Sequence, residues 1–380
     1  MGAVLIAVVP PIVLGNYDFS PWLYKACGFL VVSCPCALVI SVPLGFFGGI
    51  GCASKNGIIV KGGNYLEALS QVSTVVFDKT GTLTQGTFQV NKIHVVDSDY
   101  TEDQLLYFAA LTESFSTHPI ATSIITAYNK PLDTSVIHHY EEIAGQGLRA
   151  YKDDNRILVG NSKLLAAHNI AFSEPKNTNG TIVYLSIDQQ FIGYIVIADI
   201  IKTDAAKTIS RLKQWNIKTV LLTGDLTKTA KLVADQLGIE EVYSELLPTD
   251  KVSIIETLLS QNSKGKNVIF VGDGINDAPV IARADVGIAM GGIGSDAAVE
   301  AADIVIMNDA PYKIVSAITI AKRTRKIVSQ NIYLALGIKS IVLILLTIGY
   351  SSLWLAVFAD VGVSLLAIMN SIRVLHTKVN

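Results

Sequence analysis

The chain has 380 residues, of which half are apolar and 16% charged, with a net charge of −2 and a mean hydropathy of +0.44. That balance argues against a wholly soluble enzyme, and the near-neutral charge without a long basic run gives no sign of a nucleic-acid partner. The four cysteines, Cys27, Cys34, Cys36 and Cys52, crowd one stretch; this is no disulfide framework and reads as free thiols in a reducing compartment.

Residues 3–14 (AVLIAVVPPIVL) form an apolar run too short for a bilayer, which takes roughly 20 helical residues. With no basic flank or small-residue cleavage site, the run reads as a truncated membrane helix rather than a signal peptide. A second run, 22–53, is long enough to span despite Pro35 and Pro43. The middle of the chain changes character. STVVF (73–77), TVLLT (219–223), NVIFV (267–271) and VGIAM (286–290) are short buried strands, and helices are expected near 204–215, 226–237 and 249–260. That alternation predicts a parallel, doubly wound α/β sheet. The stretch 87–197 interrupts it with strands at 88–96, 181–186 and 191–197 and helices at 102–112 and 119–128, so it reads as an inserted domain. Two further apolar runs, 332–350 and 353–370, joined at Ser351–Ser352, predict a tight transmembrane hairpin.

Charge orients these spans. Lys55 and Lys61 follow the second run, Lys322, Arg323, Arg325 and Lys326 precede the third, and Arg373 and Lys378 follow the fourth. The positive-inside tendency puts the α/β region and the C-terminus in the cytoplasm.

The run DKTGTLT, Asp78–Thr84, follows the first α/β strand directly, and TGD (Thr223–Asp225) and GDGINDAP (Gly272–Pro279) follow later ones. Open α/β sheets collect their chemistry at the carboxyl ends of strands. A carboxylate that attacks a phosphoryl group needs the joint negative charge offset, by Mg²⁺ on carboxylates and by a lysine such as Lys251. One strand-terminal aspartate alone would be a cap or a loop residue; three such clusters in this order are not.

In these motifs the sequence resembles the P-type ATPases, within the haloacid-dehalogenase-like superfamily, from about residue 20 to residue 375. The resemblance implies that ATP phosphorylates Asp78, with Mg²⁺ held by Asp78, the Thr80 carbonyl and Asp273. It also implies that Thr223, Lys251, Asn276 and Asp277 line the phosphate site, with Lys79 and Asp225 in the same catalytic group. The insertion looks like the nucleotide-binding domain. There Glu113, His118 and the glycines of GQG, Gly145 and Gly147, match the residues that hold adenine and the phosphates in the heavy-metal branch. Glycines let a backbone approach a ligand closely.

The second apolar run carries Cys34-Pro35-Cys36. Proline in a membrane helix breaks the hydrogen-bond ladder, and thiolates beside the break suit a soft metal. Lys339 and Asp360 lie inside the third and fourth runs, where a charge is expensive and marks function. Counted from Ser351–Ser352, they are about 18 and about 13 Å deep at 1.5 Å per residue. Copper pumps of this family carry Tyr-Asn in the third run and methionine in the last. Here GIKS and Asp360 stand instead, as in the zinc, cadmium and lead branch, where the lysine is a counter-ion.

The sequence is accordingly expected to be a multi-domain membrane protein: α-helical transmembrane segments plus an α/β haloacid-dehalogenase-like phosphorylation domain with an inserted α+β nucleotide-binding domain. Membrane helices are expected over 1–62, the phosphorylation domain over 63–86 and 198–312, the nucleotide-binding domain over 87–197 and the hairpin over 326–372. No TGE motif occurs, so the chain is expected to lack the actuator domain and the earlier helices, to turn over poorly alone, and to leave room for a companion chain that supplies them. The expected function is ATP-driven export of Zn²⁺, Cd²⁺ or Pb²⁺ across a bacterial plasma membrane. The alternatives are a membrane-tethered phosphatase, disfavoured by Thr80 where such enzymes place a second aspartate, and a regulatory metal-binding fragment.

Overall fold

A computed structural model describes every residue except 1, 16, 17, 176–179, 275, 276, 292–295, 349–352 and 380, and the side chains of 347 and 353. The expected Ser351–Ser352 turn and the site residue Asn276 therefore lie outside the described residues. The strands are β1 (Ile58–Val60), β2 (Val72–Asp78), β3 (Thr84–Val95), β4 (Ile137–Ile143), β5 (Gly147–Lys152), β6 (Asn155–Gly160), β7 (Thr181–Ile187), β8 (Gln190–Ile201), β9 (Lys218–Leu222), β10 (Glu241–Tyr243), β11 (Asn267–Gly272), β12 (Val286–Met290) and β13 (Ile304–Ile306). The chain divides into two compact units, one made of 1–76, 210–219 and 248–380, the other of 77–209 and 220–247.

The first unit contains the membrane helices. Among the described residues, three stretches, Ser20–Lys55, Tyr312–Leu346 and Trp354–His376, are long and apolar enough to cross a membrane, and the helix Gly2–Val13 is shorter. The second apolar run, expected as one span, is two helices, Ser20–Ser33 and Cys36–Lys55. Proline explains the break: it has no N–H to donate, and it drives the preceding residue out of the helical region. Cys34 accordingly has ψ 125°. The third run falls in a 37-residue helix, Tyr312–Ile348, so Lys322, Arg323, Arg325 and Lys326 lie within the helix rather than ahead of it. The fourth run is helix Leu353–Val357, one π-type turn, Phe358–Gly362, and helix Val363–Ile372. In that turn the Val363 N–H reaches back five residues to Phe358 O.

Close packing of these helices is written in small residues. Ser41, Gly45, Gly49 and Ala53 recur every four residues along Cys36–Lys55, and all are buried. A Cβ on Gly45 would sit 2.7 Å from Val328 Cγ2, and one on Gly49 would sit 2.5 Å from both Leu66 Cδ2 and Thr324 Oγ1. Without side chains at these points the backbones approach, as membrane helices need in order to pack.

The same unit carries sheet strands in the order β1-β13-β12-β11-β2. β1 is antiparallel to β13, and β13, β12 and β11 run parallel. Val268–Val271, Ile288–Met290 and Ile304–Ile306 are buried throughout. Parallel strands covered on both faces read as unbroken apolar runs, which is why NVIFV and VGIAM were legible.

The second unit holds an antiparallel sheet in the order β3-β8-β7-β6-β5-β4. Its alternate residues face two cores. Ile157, Val159, Val183, Leu185, Ile195 and Ile197 join Leu105, Ala109 and Ile124 of helices Glu102–Glu113 and Pro119–Tyr128. Leu158, Tyr184, Tyr194 and Val196 join Leu164 and Leu165 of helix Ser162–Ala167. The period-2 alternation of a strand produces this two-faced sheet. Helix Glu102–Glu113 starts on a capping box between Thr101 and Gln104. β9 and β10 also lie in this unit and pair in parallel. The architecture is thus membrane helices, an α/β portion and an antiparallel α+β sheet.

Candidate active site

In the second unit, Asp78 ends β2 and is 7% exposed. The turn Lys79–Leu83 follows and is tied at several points to the end of β8. The Lys202 N–H donates to Leu83 O at 2.9 Å, and Lys202 Nζ donates to Gly81 O. Asp199 accepts from the Gly86 N–H at 2.9 Å and from Thr84 Oγ1. The turn that follows Asp78 is therefore held by Asp199 and Lys202. Neither was singled out in the sequence, because both read as the polar end of a strand. Lys79 Nζ, nearly buried, forms an ion pair with Asp225. The Asp225 N–H donates to Thr223 Oγ1 at 3.1 Å, and the Thr223 N–H donates to Tyr243 O at 3.0 Å. Lys79, Thr80, Gly224 and Asp225 open onto a cavity of about 440 Å³ that Thr181 and Asp199 also line.

In the first unit, Asp273 follows β11, and its carboxylate lies within 4.8 Å of that of Asp277. Lys251 Nζ donates to Asp277 Oδ1 at 2.8 Å, with both side chains nearly buried. Two carboxylates with a lysine on one of them form a hard-oxygen set of the kind Mg²⁺ accepts, with a fixed positive charge beside it.

The inserted sheet brings Glu113, His118, Gly145 and Gly147 to one pocket of about 280 Å³, with Glu142 and Asn161. Glu113 is buried, and loss of hydration together with the nearby Glu142 charge pushes its carboxyl up to about 7. His118 caps helix Pro119–Tyr128 through Nδ1, which accepts from the Ile120 N–H at 3.2 Å. Gly147 has φ 141°, and a Cβ there would meet Val159 O at 2.3 Å. Only glycine fits this position. The Asn161 side chain, not foreseen as a site group, pins the loop by donating to Gly145 O at 2.8 Å.

The membrane helices gather the remaining residues. Cys34, Cys36 and Asp360 each offer a ligand atom within 4.8 Å of the others. Lys339, only 8% exposed, donates to Asp360 Oδ1 at 3.1 Å, to Val32 O at 3.1 Å and to Cys34 O. In an unbroken helix Val32 O would bind the residue 36 N–H. The break releases it, and a cation at the C-terminal end of the half-helix takes it over. Asp360 stands in the π-type turn, a device that re-aims a side chain and recurs at functional sites. One expectation is corrected. Cys27 and Cys52 are free, but Cys34 and Cys36 are joined as a disulfide, with Cα atoms 5.5 Å apart. The proline break turns both side chains to one side, and that separation lies within disulfide range.

The profile of the haloacid dehalogenase-like hydrolase family matches residues 72–285. The chain is 56% identical over 377 residues to the cadmium, zinc and cobalt-transporting ATPase of Bacillus subtilis (strain 168), covering 99% of this chain and 53% of that protein. It is 53% identical over 370 residues to the zinc-transporting ATPase of Synechocystis sp. (strain ATCC 27184 / PCC 6803 / Kazusa), covering 97% and 51%. The crystal structure of a zinc-transporting PIB-type ATPase in the E2.Pi state superposes with a TM-score of 0.86 at 35% identity, covering 98% of this chain and 61% of that one. The chain thus spans about half the length of the curated relatives it matches. It belongs to the haloacid dehalogenase-like hydrolase family, is an integral membrane protein, and over nearly its whole length is similar to metal-transporting P-type ATPases.

Proposed function

We propose that this chain is the phosphate-accepting and ion-holding portion of an ATP-driven exporter of a soft divalent metal. The observation that carries the reading is a buried Asp78 at the end of β2 in a chain whose membrane helices also gather Cys34, Cys36, Asp360 and Lys339. An Asp78 oxygen attacks the γ-phosphorus of ATP, the bond from that phosphorus to the ADP oxygen breaks, and ADP leaves with its electron pair. Asp78, the Thr80 carbonyl and Asp273 would hold Mg²⁺, which when bound offsets the charge of phosphate and carboxylate. By the resemblance of the motifs, Lys251, Lys79 and Thr223 would supply further positive charge and a hydroxyl, with Asn276, Asp277 and Asp225 in the same catalytic group. Glu113, His118, Gly145 and Gly147 hold the nucleotide.

The cargo is zinc or cadmium, as named for the relatives, with lead in the same ligand class. The reduced thiols and Asp360 bind the ion, displacing Lys339, whose charge balances Asp360 once the ion has gone. The sheets and the C-terminus face the cytoplasm of a bacterial cell, the side that Lys322, Arg323, Arg325, Lys326 and Arg373 favour. An actuator domain, in a longer polypeptide or on a companion chain, completes the cycle.

The test is phosphorylation from γ-labelled ATP, followed by acid quench. Acid-stable, hydroxylamine-sensitive label is expected, and Asp78→Asn is expected to abolish it. Label that survives in Asp78→Asn overturns the assignment of the acceptor. Zinc binding unchanged in Cys34→Ala, Cys36→Ala and Asp360→Ala overturns the ion site.

A further inference from the structure

A second polar layer crosses the same membrane helices and takes no part in the chemistry above. At its centre is Asn331, fully buried in helix Tyr312–Ile348. Its amide nitrogen donates to Ala367 O at 3.1 Å and to Ser371 Oγ at 2.8 Å, and its oxygen accepts from Asn370 Nδ2 at 2.8 Å. Ser371 Oγ in turn donates to Ser41 O at 3.0 Å. The Asn370 amide oxygen accepts from Arg373 at 2.7 Å, which ties the layer to an exposed cation. Both amide hydrogens of Asn331 and an acceptor position on its oxygen are used, so the layer offers no converging set of lone pairs for an ion.

Its value lies in which helices it joins. Helix Cys36–Lys55 carries Cys36 and Ser41, helix Tyr312–Ile348 carries Lys339 and Asn331, and the last membrane stretch carries Asp360 and Ser371. Each helix thus brings one ion-site group and one member of the layer. Asn331 precedes Lys339 by eight residues, about 12 Å along the axis. Apolar contacts tolerate sliding along a helix, but a buried amide does not. Slipping any one helix by a turn, about 5.4 Å, would break these bonds and leave polar groups unpaired in a medium without water. The small residues Gly45 and Gly49 let the backbones come close enough for the bonds to form.

We propose that the Asn331–Ser371–Ser41 layer is a register clamp, and that Asn331 is a positioning residue that sets the axial alignment at which Cys34, Cys36, Asp360 and Lys339 meet. The inference rests on the metal-exporter reading for its consequence, though not for its geometry.

The test uses the full chain in lipid nanodiscs, with Cys27→Ser and Cys52→Ser so that a maleimide reports only Cys34 and Cys36 after reduction. Two single variants, Asn331→Leu and Ser371→Ala, and the exchange Asn331→Ser with Ser371→Asn are compared. Ser371→Ala removes one hydroxyl only and stands in if Asn331→Leu does not fold. Expected in the single variants are a severalfold change in maleimide labelling rate without metal and a zinc Kd raised about tenfold, the scale seen when groups that orient metal ligands are removed. The exchange, which returns the amide from the other helix, is expected to recover part of both. Labelling rates equal to wild type in the single variants overturn the clamp, whatever zinc does. A wild-type chain that binds no zinc overturns the exporter reading instead, and the labelling rates still decide the clamp.

Discussion

Glu113 and the Lys251–Asp277 pair carry the two clearest consequences of burial on single side chains. The Glu113 carboxyl titrates near 7 in the folded chain against 4.5 for an ordinary glutamate. Between those values the folded state holds a proton that the unfolded state has released. Its contribution to stability is therefore fully present below pH 4.5 and is lost as pH rises through 7. Glu113→Gln should remove that slope, leaving the variant more stable than wild type by on the order of 3 kcal/mol at pH 8 and little different at pH 4.5; thermal unfolding across this range checks the sign. The Lys251–Asp277 pair is of another kind, because two opposite charges lie nearly buried against each other. Lys251→Met leaves a buried carboxylate uncompensated and should cost roughly 3–5 kcal/mol. Adding Asp277→Leu should restore most of that stability, whereas label incorporation, which the role proposed for Lys251 requires to fall in Lys251→Met, should not recover. Unfolding midpoints and label incorporation, measured on the same variants, separate the structural role from the chemical one.

At the scale of elements, the membrane helices depend on close approach. Gly49→Val places methyl groups where Thr324 and Leu66 already sit and should cost about 1–3 kcal/mol by overpacking. It should also weaken zinc binding, because the helices bearing Lys339 and Cys36 separate; a fluorescent chelator competition measures this. Elements differ in how plainly the sequence announces them. NVIFV and VGIAM are buried on both faces and could be read directly. β4, IHHYEEI, is an edge strand with most of its side chains exposed, β5 carries Arg149 and Lys152 among its residues, and β6 has only four buried residues after Arg156. These three strands were missed because only pairing with neighbours makes them strands. The break at Pro35 was legible as an interruption, whereas the π-type turn at Asp360 was not, since no proline or glycine pattern demands it.

At the scale of the molecule, the inserted sheet has two cores built almost wholly from its own residues, 90–197. Residues 84–201 expressed alone should therefore unfold cooperatively and bind ATP, which calorimetry and thermal melting check. Gly147→Ala in that fragment should lose ATP binding, since its Cβ would collide with Val159 O. The sequence by itself determined the family: DKTGTLT, TGD and GDGINDAP each follow a strand, and such residue types in such order have few other uses. It also determined the membrane segments, since apolar length is a property of composition. Only the tertiary structure decided that Lys339 takes the carbonyls freed at the break, that Asp199 and Lys202 hold the turn after Asp78, and that Asn331 ties three helices together. Those are contacts between residues distant in the chain, and a hydrogen bond across helices leaves no period or spacing in either strand of sequence that makes it.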